Sequence, residues 1–447
     1  MSKIDPIRLE VMKNAFDAIA DEMALMLMRA AYSPIVRDSM DYSTAICDAQ
    51  GQTLAQGVTT PMHLGSFYDA MQHLREQFHG NIHPGDVFIG NDPYAAAGQH
   101  LPDIYIVEPI FFRDRLVAWT TTLAHHADVG GIVPGSNALG AVEIYQEGLR
   151  LPFLKLYDRG EVNSAIWEIL SLNVRVPEMV QGDLRAQMAA CTAGRKSFGE
   201  LVDRYGIDEV LACADALHDY AERLGRAEIR EMQNGTYHFT DHIDGLGETP
   251  EPIVIQISLT IHDDRISVDF EGSSPQVKGG VNTPLPFTKA SVYTALRSVM
   301  LSDIPNCHGF ERVVSVTAPK GTVVNSVHPA PCGARGIDGM FGALAQVLPD
   351  RVTADGMGGS TVPTFAGSHD GRAFVFTETV MGTWGASSAH DGQVGVPHMG
   401  ANQANVPIEM IEASYPLRIR RYGLVPDTGG AGRYRGGNAF VREYEYI

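Results

Sequence analysis

The stretch GQHLPDIYIVEPIFFRDRLVAWTTTLAHHADVGGIVPGSNALGAVEIYQE, residues 98–147, decides the reading of this chain. Two largely apolar runs, Ile104 to Phe112 and Leu116 to Ala124, flank the polar turn Arg113-Asp114-Arg115. Runs of that length around a short polar turn read as a β-hairpin. The chemistry sits at its open end. His100 and Asp103 precede the first run, and His125 and His126 follow the second. A tight turn sets Phe112 against Arg115, which puts Asp103 opposite Ala124, one step from His125. Facing residues on antiparallel strands have Cβ atoms roughly 4.5–5.5 Å apart. The hairpin is therefore expected to gather His100, Asp103 and His125. Imidazole and carboxylate with an open position form a donor set that zinc, manganese and iron accept. A histidine beside a strand is more often a surface or hydrogen-bonded residue than a ligand. Here the convergence of two separated elements points to a metal or acid–base site. Side chains alternate along a strand, so His126 faces the other side if the strand continues. If the strand ends there, His126 reaches substrate as an acid or base.

Upstream, Asp5-Pro6 opens a helix, with Asp as N-cap and Pro in the first turn. SMDYSTAICDAQGQTLAQG reads as a strand, a turn at Asp48 to Gly51 and a short strand. Asp41 stands near the start of that first strand, where it bonds nearby backbone or faces the site; the residues alone leave both readings open. Ser66 to Gln77 reads as a helix, and GDVFIGNDPY as a strand ending in a turn. Downstream, DVGGIVPGSNALG is a Gly-rich loop of the kind that lets backbone approach a ligand. Glu143 and Glu147 share a face if that segment is helical, which makes them candidates for contacts to substrate or to its ligands. Two solvated surface carboxylates are the simpler reading.

The pattern then divides the chain. Residues 1–162 form an N-terminal α+β region carrying the site, 163–233 a mainly helical segment, and 234–447 a β-rich and Gly-rich region. The expected class is α+β, a large multilayer body with antiparallel hairpins. His390-Asp391, Arg433 and Arg435 lie in Gly-rich loops as candidate site or interface residues, with backbone-carbonyl contacts in a packed corner as the equal reading for the two arginines.

Composition narrows the function. The 447 residues carry 34 basic and 53 acidic side chains, a net charge of −19. That excludes a phosphate-backbone binder. Five scattered cysteines, Cys47, Cys191, Cys213, Cys307 and Cys332, make no CxxC pair and suit a reducing cytoplasm. MSKIDPIRLE has no signal-peptide character, and no run approaches the length that spans a bilayer. GxxxxGK[ST], GxGxxG after a strand, GxSxG and HExxH are all missing, so neither a nucleotide cradle nor a standard nucleophile is visible.

Several motifs carry a resemblance: RDSMDYSTAICD (37–48), GNDPY (90–94), HLPD (100–103), HHADVGG (125–131), EIYQEGLRLP (143–152), GDLRAQMAA (182–190), FEGSSPQ (270–276) and DTGGAGRYRGG (427–437). In this order they resemble the hydantoinase B/oxoprolinase family through nearly the whole chain. The resemblance implies a partner, a hydantoinase A-type subunit that binds ATP and Mg, within a hetero-oligomer. It implies ATP-dependent opening of a cyclic amide (hydantoin, 5-oxoproline or lactam). A related branch, the alternative, carboxylates ketones. The resemblance carries a metal role onto Asp41, His100, Asp103 and His125, and Asp41 could instead be the base. Ala96 and Ala97 depart from the family, which often has Gly there, so the loop before His100 is expected to be stiffer.

Overall fold

A computed structural model of the chain describes residues 4–63, 65–327, 336–358 and 361–447; Cys332 lies outside the described residues. Helix α1 (Pro6–Ala30) starts as its sequence dictates, with the Asp5 side chain accepting from Ile7 N at 3.1 Å and Pro6 in the first turn. Its buried face is Met12, Phe16, Ile19, Met23 and Leu27, the three-to-four spacing of one helical stripe. The short helix α2 (Pro34–Arg37) follows.

The centre is a seven-stranded antiparallel sheet built from β1 (Tyr42–Asp48), β2 (Thr53–Gln56), β3 (Val87–Gly90), β4 (Asp103–Phe112), β5 (Arg115–His125), β6 (Leu154–Asp158) and β7 (Glu161–Val162). The spatial order is β2-β1-β5-β4-β3-β6-β7. The sheet is covered on both faces, which is why β4 and β5 read as continuous apolar runs. Ile46, Ile104, Ile106, Ile110 and Ala124 pack into the core shared with α1 and α5 (Pro177–Tyr205). The alternate residues Ala45, Cys47, Tyr105, Val107, Trp119 and Leu123 meet Phe67, Met71 and Leu74 of α3 (Ser66–Gln77). Burying each such large side chain is worth about 1.5–3 kcal/mol. Helices α1 and α5 pack closely where Gly194 lies. A Cβ there would stand 2.3 Å from Met23 Sδ.

The hairpin register differs from the expected one by one residue. Phe112 does face Arg115, but a β-bulge between Ile110 and Phe111 leaves Val117 unpaired, and from there Ile110 faces Ala118. Asp103 therefore stands directly opposite His125, not Ala124.

The helical segment is α4 (Ser164–Asn173), α5 and α6 (Ile207–Arg230). A second sheet has the order β11-β10-β9-β8, from β8 (Gly235–Ile243), β9 (Ile253–His262), β10 (Arg265–Asp269) and β11 (Val314–Thr317). Asp263 takes φ +54 in the expected β9–β10 turn. Helices α7 (Leu285–Val299), α8 (His308–Glu311) and α9 (Gly336–Leu344) accompany it. The Gly-rich end folds as short hairpins, β12 (Thr364–His369) with β13 (Arg372–Thr377), β14 (Gly382–Thr383) with β15 (Val394–Val396), and β16 (Leu417–Leu424) with β17 (Phe440–Tyr446). Helix α10 (Ile408–Ser414) precedes β16. The fold is α+β, and one apolar core takes residues from all three sequence regions. Cys47, Cys191, Cys213 and Cys307 are buried free thiols. Among the described residues, no helix is long and apolar enough to cross a membrane.

Candidate active site

Three adjacent strands end together and set three donors in a row. His125 closes β5 and faces Asp103 on β4. On its other side Tyr42 faces Ala124, and His125 N donates to the Asp41 carbonyl at 3.0 Å. Asp41, His125 and Asp103 thus share one face of the sheet, the one covered by α3. His100 comes from the turn before β4, where Asp103 N donates to its carbonyl at 3.1 Å. Its Nε2 lies 3.2 Å from Asp103 Oδ2, and its ring centroid 5.0 Å from that of His125.

The structure adds His63, which no motif or spacing in the sequence marks. It sits in a single 3-10 turn, Pro61–His63. Ser43 Oγ donates its one proton to the Thr60 carbonyl (3.0 Å), so toward His63 Nδ1, 2.8 Å away, it acts as acceptor. Nδ1 therefore carries the ring proton, and Nε2 turns a lone pair toward Asp103 Oδ2, 3.9 Å away. The turn is clamped from several sides: Met62 N donates to the Gly400 carbonyl, Gln99 Nε2 to the Met62 carbonyl and Thr294 Oγ1 to the Pro61 carbonyl. Gln403 bonds Asp41 from far along the chain, and Asn137 Nδ2 lies 3.3 Å from His125 Nε2.

Burial sets the electrostatics. It pushes the Asp41 carboxyl up to about 7, with the neighbouring Asp103 charge adding to the effect. Burial also pushes Asp103 up, but His100, His63 and His125 together hold it well below the usual carboxylate range. Burial lowers His63 to about 4 and His125 to about 3. Near neutral pH both imidazoles are uncharged, the form that binds a metal or accepts a proton.

The other expected residues are elsewhere. His126 points to the opposite face, as strand alternation requires, and its Nε2 meets Gln187 Oε1 of α5 at 2.9 Å. Glu143 and Glu147 are not one helix face. They flank a single 3-10 turn, Ile144–Gln146, held by Gln146 Oε1 accepting from Val142 N and Glu143 N. Glu143 is exposed and Glu147 buried, and neither lines the site cavity. Arg435 and Asp391 hold each other's loop, Arg435 N donating to Asp391 Oδ1 at 2.7 Å.

The site opens into a cavity of about 560 Å³, within the ~300–1,000 Å³ of small-molecule pockets. One wall is polar and contains Asp41, His63, Gln99, His100, Asp103 and His125. The Gly-rich loop supplies Asn137 and Leu139 to it. Buried Asp128 holds that loop in place. Its carboxylate accepts from Gly130 N, Gly135 N, Arg175 N and Arg175 Nη1. Gly131, at φ +82, has no room for a Cβ, which would stand 2.5 Å from the Gln146 carbonyl oxygen.

The donor chemistry fits a divalent metal: Asp103 Oδ1 and His125 Nδ1 are buried with no hydrogen-bond partner among the described residues. The spacing is not yet a metal cage. Among the described residues no three His, Cys, Asp or Glu side chains are drawn together tightly enough to hold an ion, and His100 Nε2 is engaged with Asp103.

Comparison with known proteins gives the chain its family. Residues 5–447 match the family model described as hydantoinase B/oxoprolinase. A protein named as the putative B-type component of a D-/L-hydantoinase in Pseudomonas sp. (strain NS671) is 34% identical, over 100% of this chain and 79% of its own length. The beta chain of the caprolactamase of Pseudomonas jessenii is 36% identical over the same shares. The crystal structure of that ATP-dependent caprolactamase superposes with a TM-score of 0.93 at 34% identity, covering 100% of this chain and 79% of the other. An acetone carboxylase structure shares the fold, with a TM-score of 0.90 at 20% identity over 98% of this chain and 62% of the other.

Proposed function

Because this chain belongs to the hydantoinase B/oxoprolinase family, we propose that it is the ring-opening subunit of an ATP-dependent cyclic-amide hydrolase. The observation that carries the reading is the row Asp41–His125–Asp103 with His100 beside it, lining a cavity of ligand size. The hydantoinase and caprolactamase relatives are each named as one component of a larger enzyme, which implies a partner. We assign to it the hydantoinase A-type role of binding ATP and Mg and phosphorylating the ring's carbonyl oxygen. That step turns a poor electrophile into an imidate-like carbon with a good leaving group. The present chain then receives the activated ring. Buried thiols suit work in a reducing cytoplasm.

His100, Asp103 and His125 would hold a divalent ion, zinc, manganese or iron, and Asp41 would be either its fourth donor or the base. Such an ion would supply Lewis acidity toward water and the activated carbon. The chain's own residues do the rest. As the base, Asp41, whose carboxyl burial pushes up to about 7, is suited to taking a proton from attacking water and returning it to the ring nitrogen as the C–N bond breaks; the acyl phosphate that remains is hydrolysed by a second water to carboxylate and phosphate. The His63 lone pair orients a donor beside Asp103. His126 bonds Gln187, which donates to the Ile104 carbonyl and so ties the ends of β4 and β5 together from the opposite face. The likeness to acetone carboxylase carries the fold alone, so ketone carboxylation stands as the second reading.

Metal analysis of the complex with its ATP-binding partner, wild type beside His125→Ala, tests this. The expected result is near-stoichiometric metal and ATP-dependent ring opening in the wild type, both lost in the variant. Ring opening that survives in a metal-free His125→Ala complex would falsify the assignment.

A further inference from the structure

A second cavity, of about 480 Å³, borders the segment that leads into the His63 turn. Part of its lining is α1, whose Lys13, Asp17 and Asp21 follow one another at four-residue spacing and so share a helix face. The rest includes Gln56 at the end of β2, Arg297 in the last turn of α7 and Asp303. The lining therefore carries both signs of charge. Lys13 Nζ is already engaged by Glu10 at 3.0 Å and Asp303 at 3.7 Å, and Asp21 Oδ1 accepts from Val58 N at 2.9 Å. Burial pushes the Asp17 carboxyl up to about 6, and the charges of Asp21, Asp303 and Glu10 add to this against the pull of Lys13. Two buried polar atoms of the lining, Gln56 Oε1 and Arg297 Nη1, have no hydrogen-bond partner among the described residues, and Gln56 is only 7% exposed. Arg297 Nη2 donates to the Ile304 carbonyl. A buried polar group left unpaired costs about 1–3 kcal/mol, so each such group calls for a partner.

We infer that this cavity is a second binding site, for a zwitterionic amino acid whose carboxylate meets Arg297 and whose ammonium meets Asp17 and the Gln56 side-chain carbonyl. The guanidinium fork matches a carboxylate, and desolvated oxygen acceptors match an ammonium. A bare cation is disfavoured by Arg297 and Lys13, and a bare anion by Asp17 and Asp21. The place gives such a ligand a route to the chemistry. Gly57, Val58, Thr59 and Pro61 line the cavity, and the chain runs from them straight into the turn Pro61–His63. From the other side this segment is held by Thr60, whose N donates to the Tyr42 carbonyl at 3.2 Å and whose carbonyl accepts from Ser43 Oγ. Asn402, also in the lining, donates to the Thr59 carbonyl and precedes Gln403, which bonds Asp41. An occupant of the cavity therefore stiffens the segment that places His63. Opening a lactam releases an amino acid, so the reaction's own product is one such effector. That last step rests on the ring-opening reading; the binding site does not.

Calorimetric titration of the full chain with 6-aminohexanoate and with L-glutamate tests the site. Hexanoate and hexylammonium serve as probes of one charge each. Wild type is compared with Asp17→Asn and Arg297→Lys, each checked for an unchanged melting temperature. At least one zwitterion should bind saturably, and the single-charge probes and both variants should each lose about 10-fold or more in affinity, the loss of one charge-assisted bond. Amide hydrogen exchange over residues 56–63 should slow at least ~3-fold on saturation of the wild type, and not in Asp17→Asn at the same concentration. No saturable binding overturns the inference, and the unpaired groups are then held by water alone. Binding that neither variant weakens also overturns it, because the ligand then sits elsewhere, as in the active-site cavity. Binding with unchanged exchange overturns the link to His63. The ring-opening reading is tested apart, in the complex with the ATP-binding partner: absence of ATP-dependent ring opening there sinks that reading and leaves the amino-acid site standing.

Discussion

Burial holds His63 at a pKa of about 4 and His125 at about 3, against an ordinary value near 6.5. In metal-free protein the unfolded chain takes up protons on these side chains as pH falls from 6.5 toward 4, and the folded chain does not. Stability must therefore fall with pH through that window. Asp41 works in the opposite sense. Its folded value of about 7 exceeds the ordinary 3.8, so the folded form keeps the extra proton and loses stability as pH rises between those values. Two histidines against one aspartate make the site's own contribution to stability rise with pH up to about 6.5. For His63 alone the difference corresponds to on the order of 3 kcal/mol. In the presence of EDTA, His63→Gln should flatten the curve of melting temperature against pH between 4 and 6.5; a curve as steep as the wild type's would show that His63 is not held neutral. At this scale the sequence yields residues whose spacing encodes a turn: His100 three residues before Asp103, and His125 at the end of a run. His63 offers no such spacing, because a clamp of backbone bonds from four other segments puts it in place.

Element boundaries were legible wherever one residue fixes them. Asp5-Pro6 caps α1 and Asp263-Asp264 turns β9 into β10. The register of β4 on β5 was not, because one extra residue, Val117, shifts it without a compositional mark. The shift moves every later pair by one residue and sets His125 directly across from Asp103. The Gly-rich loop shows the other limit. Its glycines signal irregular backbone, but its shape comes from Asp128 reaching Arg175 across 47 positions, and the turn between Glu143 and Glu147 is held by Gln146. Asp128→Asn keeps the shape and removes the charge from those bonds. Because Arg175 is partly solvated, the expected loss is about 2 kcal/mol, with faster amide hydrogen exchange over residues 129–148 and a raised KM. Unchanged exchange in that loop would mean that its shape is held by something other than Asp128.

At the scale of the whole molecule, a buried ion pair ties the last hairpin to the site. Arg442 on β17 lies 3.2 Å from Glu378, and both are essentially inaccessible. Tyr444 donates its hydroxyl to the same carboxylate, and Val406 N its proton. Thr379, the next residue, lines the cavity. Glu378→Ala strands a buried guanidinium and should cost about 3–5 kcal/mol in urea unfolding, with Glu378→Gln costing less; equal stability of Glu378→Ala and wild type would show the pair to be dispensable. The same long reach has a consequence for synthesis. Asn402 donates to the Thr59 carbonyl across 343 positions, and its neighbour Gln403 bonds Asp41. Ribosomes add about 5–20 residues per second, so Asp41 and the turn carrying His63 emerge on the order of twenty seconds to a minute before the segment that completes them. A nascent chain carries the histidine and aspartate donors early and the finished cavity late. It therefore passes through synthesis with its reactive groups present and its chemistry switched off.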